Sequence, residues 1–476
     1  MLHDCHAEIL AIRAFNYWLI SECHSVLDQE AQARTEAETG TEAEAKPSEN
    51  NDKDISPFIQ RRKTRIKAAT GSLFTPNSSW SSPFELQPDI RIYMYCTCAP
   101  CGDASMELCM EAQDDPTPWD VTPNLQSTTD GCTDELAGNT PTPNLLDGRA
   151  HFSLLGVVRR KPARVDAEST RSKSCSDKLA LRQVSSLLSY ETSLLIAPTE
   201  NAYLQGLILP EEEISQEGCE RSFGEKGRMR ALNGCFWPVM TNTIDDNKNN
   251  FDDDGSTKCT FETKSEATIG YKFRPFKILS VPTTQIKNIW PYAKPKKINT
   301  TIVDTSTPQQ EQSKPGIVSV IWAAGPTFSS ARSSGYYYCK NLPTLAKTKT
   351  GLYENIINGV KQGNRASTIT AKGASCLSRA KMWGLLRDVV WSSVSSSSSS
   401  SMPSLSITSS SCSLPELLIG RSTYEEFKRD SGGLSAWIRA REKAIKCTKD
   451  VLGGWIPNTG DEIWGLDVLI DPKNKG

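Results

Sequence analysis

The stretch His3-Asp4-Cys5-His6-Ala7-Glu8-Ile9-Leu10 lies at the start of the chain and continues as Ala-Ile-Arg-Ala-Phe-Asn-Tyr-Trp-Leu-Ile over residues 11–20. Between Ile9 and Ile20 the only charged residue is Arg13, and apolar residues fall on every face of a helix with this sequence. We therefore predict a helix from His6 to Leu27 that is buried all round. A guanidinium in such a helix needs an anion, which is either a buried carboxylate or an internal polyanion.

A second motif, Cys98-Ala99-Pro100-Cys101-Gly102-Asp103-Ala104, follows a predicted strand at Ile90–Tyr95. His-x-Glu in one segment and Pro-Cys in another form the pattern of zinc-dependent nucleobase deaminases, in which the Glu is not a ligand. Neutral imidazole and thiolates suit Zn²⁺, and three protein ligands leave a fourth position for water, whose pKa falls to about 7. The proline before Cys101 fits a helix start, where unpaired backbone N–H groups favour a thiolate.

The third ligand is not where nucleoside deaminases place it, because the position expected for the next cysteine is Ala104. Cys175 is the best candidate, since its polar, charged segment Ser-Cys-Ser-Asp-Lys is unlike the core sites that bury structural cysteine. An alternative is a structural zinc knuckle made of Cys96, Cys98, Cys101 and Cys109, although no second cysteine pair at finger spacing follows. The other histidines, His3, His24 and His151, are expected to be surface or packed residues.

These motifs resemble the editase domain of the ADAR and tRNA-specific adenosine deaminases, and in particular the fungal branch that modifies tRNA. The resemblance also rests on Val158-Arg159-Arg160-Lys161-Pro162-Ala163-Arg164 and Ser172-Lys173-Ser174-Cys175-Ser176-Asp177-Lys178-Leu179-Ala180, and it extends over the chain apart from insertions. It implies that His6, Cys101 and Cys175 bind one catalytic Zn²⁺ and that Glu8 is the proton shuttle. The implied reaction is hydrolysis of adenosine to inosine in tRNA, at adenosine 37 beside the anticodon of alanine tRNA, with no obligate protein partner.

The same family encloses inositol hexakisphosphate, which would be the polyanion that Arg13 needs. The resemblance implies contacts to it from eight positions: Arg13, Lys178, Arg379, Tyr424, Lys428, Trp437, Arg441 and Trp455. Arginines and lysines suit a multi-phosphate ligand because several cations offset its charge. Without the resemblance, the Lys and Arg spacing in 421–449 is typical of the solvated face of a helix.

A basic segment at 151–182 holds eight bases against three acids around Cys175. Such a charge favours RNA phosphates, and the candidate RNA-binding residues are Arg159, Arg160, Lys161 and Arg164. The alternative is that part of this charge faces the internal polyanion or the solvent.

Strands predicted at 90–95, 152–158, 276–281 and 317–322 alternate with helices predicted after Cys101 and Cys175 and at 374–391 and 422–452. Such alternation indicates an α/β fold with a partly parallel sheet. The resemblance refines this fold class to a three-layer α/β/α cytidine-deaminase-like core with a mixed sheet and an extended C-terminal helical part. We expect one deaminase domain over 1–476, with disordered insertions at 28–57, 111–148, 240–268 and 390–414, where acidic, Ser-rich or Asn/Asp/Pro-rich sequence lacks apolar residues.

Composition excludes several classes of protein. The 476 residues carry 54 bases and 56 acids, so any nucleic-acid surface must be local. No stretch approaches the roughly 20 apolar residues of a membrane span, and no signal peptide is visible, so we expect an intracellular protein of the cytoplasm or nucleus. The chain has only four histidines but 15 cysteines, so a metal site with both His and Cys ligands is the most natural one to expect.

The chain begins almost at the first expected zinc ligand. The resemblance implies an upstream segment that supplies early strands and part of the substrate pocket, so we expect the domain to be N-terminally incomplete. Two other functions therefore stay open: deamination of double-stranded or messenger RNA, and an inactive RNA-binding remnant. A free-adenosine deaminase is a more distant alternative.

Overall fold

The computed structural model describes residues 1–38, 56–62, 82–111, 146–147, 154–161, 171–239, 260–261, 270–289, 316–326, 352–368, 370–395, 414–419, 421–458 and 465. Its α-helices are α1 (Ala7–Glu38), α2 (Met106–Glu111), α3 (Cys175–Ser185), α4 (Tyr190–Leu195), α5 (Gln216–Phe223), α6 (Thr283–Ile289), α7 (Arg379–Ser395), α8 (Leu414–Ile419), α9 (Tyr424–Leu434) and α10 (Ala436–Leu452). Its strands are β1 (Ile59–Arg61), β2 (Phe84–Leu86), β3 (Ile92–Tyr95), β4 (Leu146–Asp147), β5 (Arg159–Arg160), β6 (Leu204–Pro210), β7 (Cys235–Pro238), β8 (Thr260–Phe261), β9 (Gly270–Lys272), β10 (Lys277–Val281), β11 (Ser319–Ala323), β12 (Leu352–Ile357) and β13 (Val360–Lys361).

A parallel sheet in the order β10-β6-β3 carries the site. Tyr95 pairs with Ile208, and Val281 pairs with Pro210, so the three strands end at the same edge. Parallel strands need crossovers, and the chain between β3 and β6 supplies α2 and α3. Because ligands bind beyond the carboxyl ends of such strands, the segment after Tyr95 is well placed to carry functional residues.

Apolar side chains of three helices cover one face of this sheet. Ile12 of α1, Leu179 of α3 and Phe223 of α5 form one buried cluster with Leu207 and Leu209 of β6. The helix that directly follows His6 and the helix that begins at Cys175 are thus packed into the same core. Their starts are consequently held close to the edge of the sheet.

The remaining strands are antiparallel apart from the short parallel pair β4-β5. The sheet β11-β12-β13 packs on α1, where Ile321 and Ala323 join Leu10 and Ala14 in a buried cluster. Helices α7, α8 and α9 pack with α1 and α4 in the largest apolar cluster, which contains Leu19, Leu194, Leu386 and Phe427 among others. The predicted mixed α/β fold is confirmed, with parallel and antiparallel sheets and a helical C-terminal part.

Helix α1 is longer than predicted. It begins at Ala7, as expected, but it continues past Leu27 to Glu38, so the first eleven residues of the expected acidic insertion at 28–57 are helical. Glu, Ala, Gln and Arg are strong helix formers, and a segment without large apolar residues can extend a helix that is already anchored. The ion pair between Glu30 and Arg61 joins this extension to β1.

Two other expectations differ from the structure. A strand was expected at Phe152–Val158, but among its described residues, 154–158, none is a strand; Gly156, with φ of +74°, interrupts the extended run, and β5 begins at Arg159. The helix expected at 422–452 is the pair α9 and α10, because Ser435 adopts an extended conformation and ends α9. Most of the insertions expected at 111–148, 240–268 and 390–414 lie outside the described residues, although α7 runs on to Ser395.

In the described part of the chain, no helix combines the length and the apolar character that crossing a membrane requires.

We predict that Asn16 fastens α1 to the loop between α3 and α4. Its amide donates to the carbonyl groups of Ile12 and Leu187, at 2.7 and 2.9 Å, and accepts from the Ser189 N–H. In Asn16→Leu the carbonyl of Leu187 and the N–H of Ser189 lose these partners, at a cost of about 1–3 kcal/mol for each buried group.

Urea titration should therefore show a clearly smaller free energy of unfolding for Asn16→Leu. The control is Asn233→Leu, which replaces an exposed asparagine and should change the free energy by about 0.5 kcal/mol at most. Equal stabilities of the two variants would contradict the role of Asn16.

Candidate active site

The structure brings together His6, Cys101 and Cys175. The Nδ1 atom of His6 lies 3.5 Å from the Sγ atom of Cys101 and 3.5 Å from that of Cys175. All three ligand atoms lie within 4.8 Å of one another. Tetrahedral Zn²⁺ with Zn–N of about 2.0–2.1 Å and Zn–S of about 2.3 Å would separate nitrogen from sulfur by about 3.6 Å. Both the chemistry and the spacing of the donors therefore fit this metal.

Local sequence explains how the two cysteine segments meet. Gly102 has φ of +102°, and a Cβ atom on it would lie 2.3 Å from Oγ of Ser174, so only glycine fits there. Ser174 is the N-cap of α3, where its hydroxyl accepts from the Asp177 N–H. The Ser176 N–H donates to the carbonyl of Cys101 at 3.0 Å. These contacts place Cys175 in the first turn of α3, directly against the Cys101 loop.

The thiols are strongly coupled to their neighbours. Hydrogen bonds from Cys175 and His6 lower the pKa of Cys101 to about 4, against the opposing effect of burial. The hydrogen bond to Cys101 raises the pKa of Cys175, and burial raises it further. The hydrogen bond to Cys101 also raises the pKa of His6. The site thus favours the thiolate form of Cys101. A cation in place of the protons on these donors would stabilise the thiolate form of Cys175 as well.

Asp4 and Lys161 form a charged layer behind the cysteines. Nζ of Lys161 lies 3.1 Å from Sγ of Cys175 and 2.6 Å from Oδ1 of Asp4. Asp4 also pairs with Lys178 and accepts from the N–H of His6. Burial alone would raise the pKa of Asp4, but the two ammonium groups lower it well below its usual range. This carboxylate, which no motif singled out, therefore links two metal donors to two lysines.

Glu8 lies in the first turn of α1, two residues after His6, and is partly buried. Its negative charge contributes, after burial, to the raised pKa of Cys96, and it contributes to that of Cys175. The Glu8 carboxylate therefore acts electrostatically on Cys175, one of the three donors.

The basic segment divides differently from the expectation. Arg159 is 1% exposed, and its backbone N–H donates to Asp177. Lys161 is 5% exposed and is engaged with Asp4 and Cys175. Both residues are buried next to carboxylates, which offset their charge, and their contact with RNA stays a prediction. Arg160 is partly buried, and Arg164 lies outside the described residues.

Several predicted phosphate contacts do lie near one another. The charges of Arg379, Glu191 and Tyr424 act on Arg13, whose Nη1 donates to the carbonyl of Leu377. The Arg379 guanidinium lies 6.0 Å from the ring centroid of Tyr424, and Nζ of Lys428 lies 5.8 Å from it. The hydroxyl of Tyr424 donates to Glu191 at 2.5 Å. One carboxylate thus lies among three cations.

The cation cluster includes residues that the sequence did not assign to it. Burial, together with the charges of Arg441 and Arg13, lowers the pKa of Arg182 to about 9. Burial also lowers the pKa of Lys173 to about 8, with the help of Lys178 and Lys449. We use "cation cluster" for Arg13, Lys173, Lys178, Arg182, Arg379, Lys428, Arg441 and Lys449.

Two predicted aromatic contacts border the cation cluster. Trp455 receives the ammonium groups of Lys173 and Lys449, each 5.7 Å from the ring centroid. Trp437 packs edge-on against Tyr271, in the same apolar cluster as Trp455.

The alternative zinc knuckle does not form. In the described residues, the group close enough to hold a metal contains Cys101 but neither Cys96, Cys98 nor Cys109. His3 and His24 are likewise outside it, and His24 pairs with Asp28 at 2.9 Å. His151 lies outside the described residues.

Comparison with known proteins agrees with this geometry. Residues 54–259 match the family model of the adenosine-deaminase (editase) domain. The chain is 33% identical over 232 residues to tRNA-specific adenosine deaminase 1 of Schizosaccharomyces pombe. The aligned region covers 49% of this chain and 44% of the relative. It is 28% identical over 254 residues to tRNA-specific adenosine deaminase 1 of Saccharomyces cerevisiae, which covers 52% and 50% respectively. The chain spans about half the length of these relatives, and the resemblance to tRNA adenosine deaminases of the ADAR family is confirmed.

We predict that Asp4→Asn destabilises the protein in a pH-dependent way. Removing one partner of a buried ion pair costs about 3–5 kcal/mol, and here Lys161 and Lys178 both lose their counter-ion. The folded pKa of Asp4 is depressed, so its contribution is complete above the unfolded value of about 3.9 and is lost as the pH falls below it.

Urea unfolding with a metal chelator present should give a large deficit for Asp4→Asn at pH 7 and a smaller one at pH 3. The control is Asp89→Asn, at an exposed position. A deficit that does not change with pH would contradict the electrostatic role of Asp4.

Proposed function

We propose that this protein is a zinc-dependent hydrolase that converts adenosine to inosine in tRNA, with release of ammonia. The observation that carries the proposal is the meeting of His6, Cys101 and Cys175 from three distant segments of the chain. Glu8 follows His6 by two residues. The match to the editase domain and the two relatives named for tRNA-specific adenosine deamination support the same activity.

One imidazole and two thiolates would hold a single Zn²⁺ and leave its fourth position open. When bound, the metal supplies a water that is acidic enough to be deprotonated near neutral pH. Cys101 and Cys175 bring two negative charges to the site, and Lys161, 3.1 Å from Cys175, offsets part of them.

Glu8 would carry the protons of the reaction. Its carboxylate accepts a proton from the attacking water, delivers it to N1 of adenine, and passes a proton to the amino group that leaves C6. Water adds at C6 and ammonia departs, so the sum is adenosine plus water giving inosine plus ammonia. The position of Glu8 in the first turn of α1, two residues after His6, supports this role because it keeps the carboxylate adjacent in the chain to one of the three donors.

We propose adenosine 37 of alanine tRNA as the target, on the strength of the resemblance to the fungal tRNA branch. A deaminase needs the base unstacked, and an anticodon loop presents unpaired bases at little cost. Such an enzyme would act in the nucleus or cytoplasm, where tRNA is found. The architecture proposed for it is the three-layer cytidine-deaminase-like core.

The cation cluster would hold an internal polyanion, and inositol hexakisphosphate is the one that we propose. The cation cluster contains eight cations, and like charges lower the pKa of several of them, so additional negative charge would stabilise these partly buried groups. Asp4 connects this cluster to the metal donors through Lys178 and Lys161. A bound polyanion would therefore stabilise the same layer that supports Cys175.

We predict that Glu8→Gln keeps the fold and the metal but loses deamination by at least about 10²–10⁴-fold, the usual contribution of a positioned acid or base. The assay incubates each protein with unmodified alanine tRNA and counts A-to-G changes in the cDNA. The control Glu217→Gln removes an exposed carboxylate of α5 and should leave the rate unchanged.

A change confined to position 37 supports the proposed substrate. Conversion only in duplex RNA would favour an enzyme of double-stranded or messenger RNA. Binding of tRNA without any conversion, in the presence of bound zinc, would favour an inactive RNA-binding protein. Full activity of Glu8→Gln would remove Glu8 from the proton path.

We also predict that inositol hexakisphosphate raises the melting temperature, and that the rise is larger at pH 7 than at pH 9.5. Lys173 and Arg182 have pKa values lowered to about 8 and about 9, so the ligand-free cluster loses charge across this window, and binding must then take up protons.

Differential scanning fluorimetry with and without the ligand measures both effects. Lys428→Gln, in the cluster, should reduce the rise, whereas Lys443→Gln, at an exposed position of α10, should not. A rise that is the same in both variants and at both pH values would contradict specific binding at the cluster.

A further inference from the structure

Each cysteine of the candidate metal centre is followed, two residues later, by a buried aspartate. The two segments are Cys101-Gly102-Asp103 and Cys175-Ser176-Asp177. Asp103 and Asp177 are both 0% exposed. Neither belongs to the group that could hold the metal. A fully buried carboxylate requires compensation, and in both cases an arginine from one short segment provides it.

Asp103 is fixed by α5. Nε of Arg221 lies 3.0 Å from its Oδ1 atom, and the hydroxyl of Ser222 donates to Oδ2 at 2.8 Å. Arg221 also donates through Nη2 to the backbone carbonyl of Asp103 and through Nη1 to Glu107. The N–H of Gly156 completes the shell of Asp103 at 2.6 Å. Asp103, in the Cys101 loop, is thus held through both its side chain and its backbone carbonyl.

Asp177 is fixed by the loop that follows α5. Nη1 of Arg228 lies 2.7 Å from Oδ1, and the Arg228 side chain is only 5% exposed. The other oxygen accepts from the hydroxyl of Ser174 at 2.6 Å and from the N–H of Arg159 at 3.0 Å. Because Ser174 and Asp177 enclose Cys175 in sequence, these bonds set where α3 begins and where the Cys175 side chain points.

The two arginines are themselves joined. The N–H of Arg228 donates to the carbonyl of Arg221 at 2.8 Å. Gly227 makes this approach possible, since a Cβ atom on it would lie 2.3 Å from the Arg221 carbonyl oxygen. One closed loop therefore holds both guanidinium groups at a fixed separation, with one aspartate on each.

We infer that Arg221 and Arg228 are positioning residues of the metal centre, acting through Asp103 and Asp177 to set the separation of the two cysteine donors. The inference rests on the proposed function for the identity of the metal. Outer groups of this kind orient metal ligands, and their loss typically weakens metal affinity by about 10–100-fold. Arginine suits the role at residue 221, where its planar fork engages Asp103 and Glu107 at once.

The test measures metal binding without RNA, so it is independent of deaminase activity. Zinc affinity of the whole chain is determined by competition with a chromogenic chelator at pH 7. The Co²⁺-substituted protein then reports the geometry of the thiolate ligands through its visible and charge-transfer absorption. The variants are Arg228→Gln, Arg228→Lys and Gly227→Ala, and the control is Arg230→Gln, at an exposed position of the same segment.

We expect Arg228→Gln to weaken zinc binding by about 10–100-fold and to change the Co²⁺ spectrum, and Arg228→Lys to restore affinity only in part. Gly227→Ala keeps both charges but separates the arginines, so it should change the spectrum as well. Arg230→Gln should match the wild type in both measurements. If Arg228→Gln does not fold, Gly227→Ala and Arg228→Lys decide the matter.

Wild-type affinity and spectrum in the folded Arg228 and Gly227 variants would overturn the inference, even if the chain deaminates tRNA. Conversely, altered zinc binding in these variants together with an inactive wild-type chain would leave the positioning role standing and remove the proposed reaction.

Discussion

The structure depends on the close packing of the Cys101 loop against the first turn of α3. Gly102 touches Ser174, and Ser176 returns two hydrogen bonds to the backbone of residues 100 and 101. This contact brings together chain segments that are 74 residues apart, and it decides where both thiols lie. The sheet, the crossover and α1 can be understood as the frame that holds this junction and presents His6 to it.

Charge is distributed around the junction in two distinct ways. Asp4, Asp103 and Asp177 are each buried and each matched to specific cations, so their local charge is balanced by the protein alone. The cation cluster is different, because burial, together with neighbouring cations, lowers the pKa values of Lys173 and Arg182. The first arrangement fixes geometry, whereas the second would be stabilised by the polyanion proposed above. Lys178 belongs to both, since it pairs with Asp4 and acts on Lys173.

The sequence predicts the parts of the site that are local. The His-x-Glu turn, the Pro-Cys segment and the helix starting at Cys175 are short patterns whose chemistry is specific, and the structure brings them together. Contacts between side chains that are far apart in the sequence could not be predicted. Lys161 has the sequence context of a surface base, but its partner is Asp4, 157 residues away. The membership of Arg182 in the cation cluster could not be predicted either. Neighbouring residues on a helix point about 100° apart, so the sequence alone does not show which side chain faces Arg13 and Arg441. The continuation of α1 past Leu27 could not be predicted either, because Glu30 in this part of the helix pairs with Arg61, which comes later in the chain.

Cys101 and Cys175 lie 95 and 169 residues after His6 along the chain. A zinc finger closes a loop of a few residues and can capture its metal as soon as that loop exists, but closure of loops this long carries a large entropic cost that only a folded core repays. A metal at this site would consequently be captured late, because the chain must be synthesised beyond Cys175 and folded around β6 before it offers a complete set of donors.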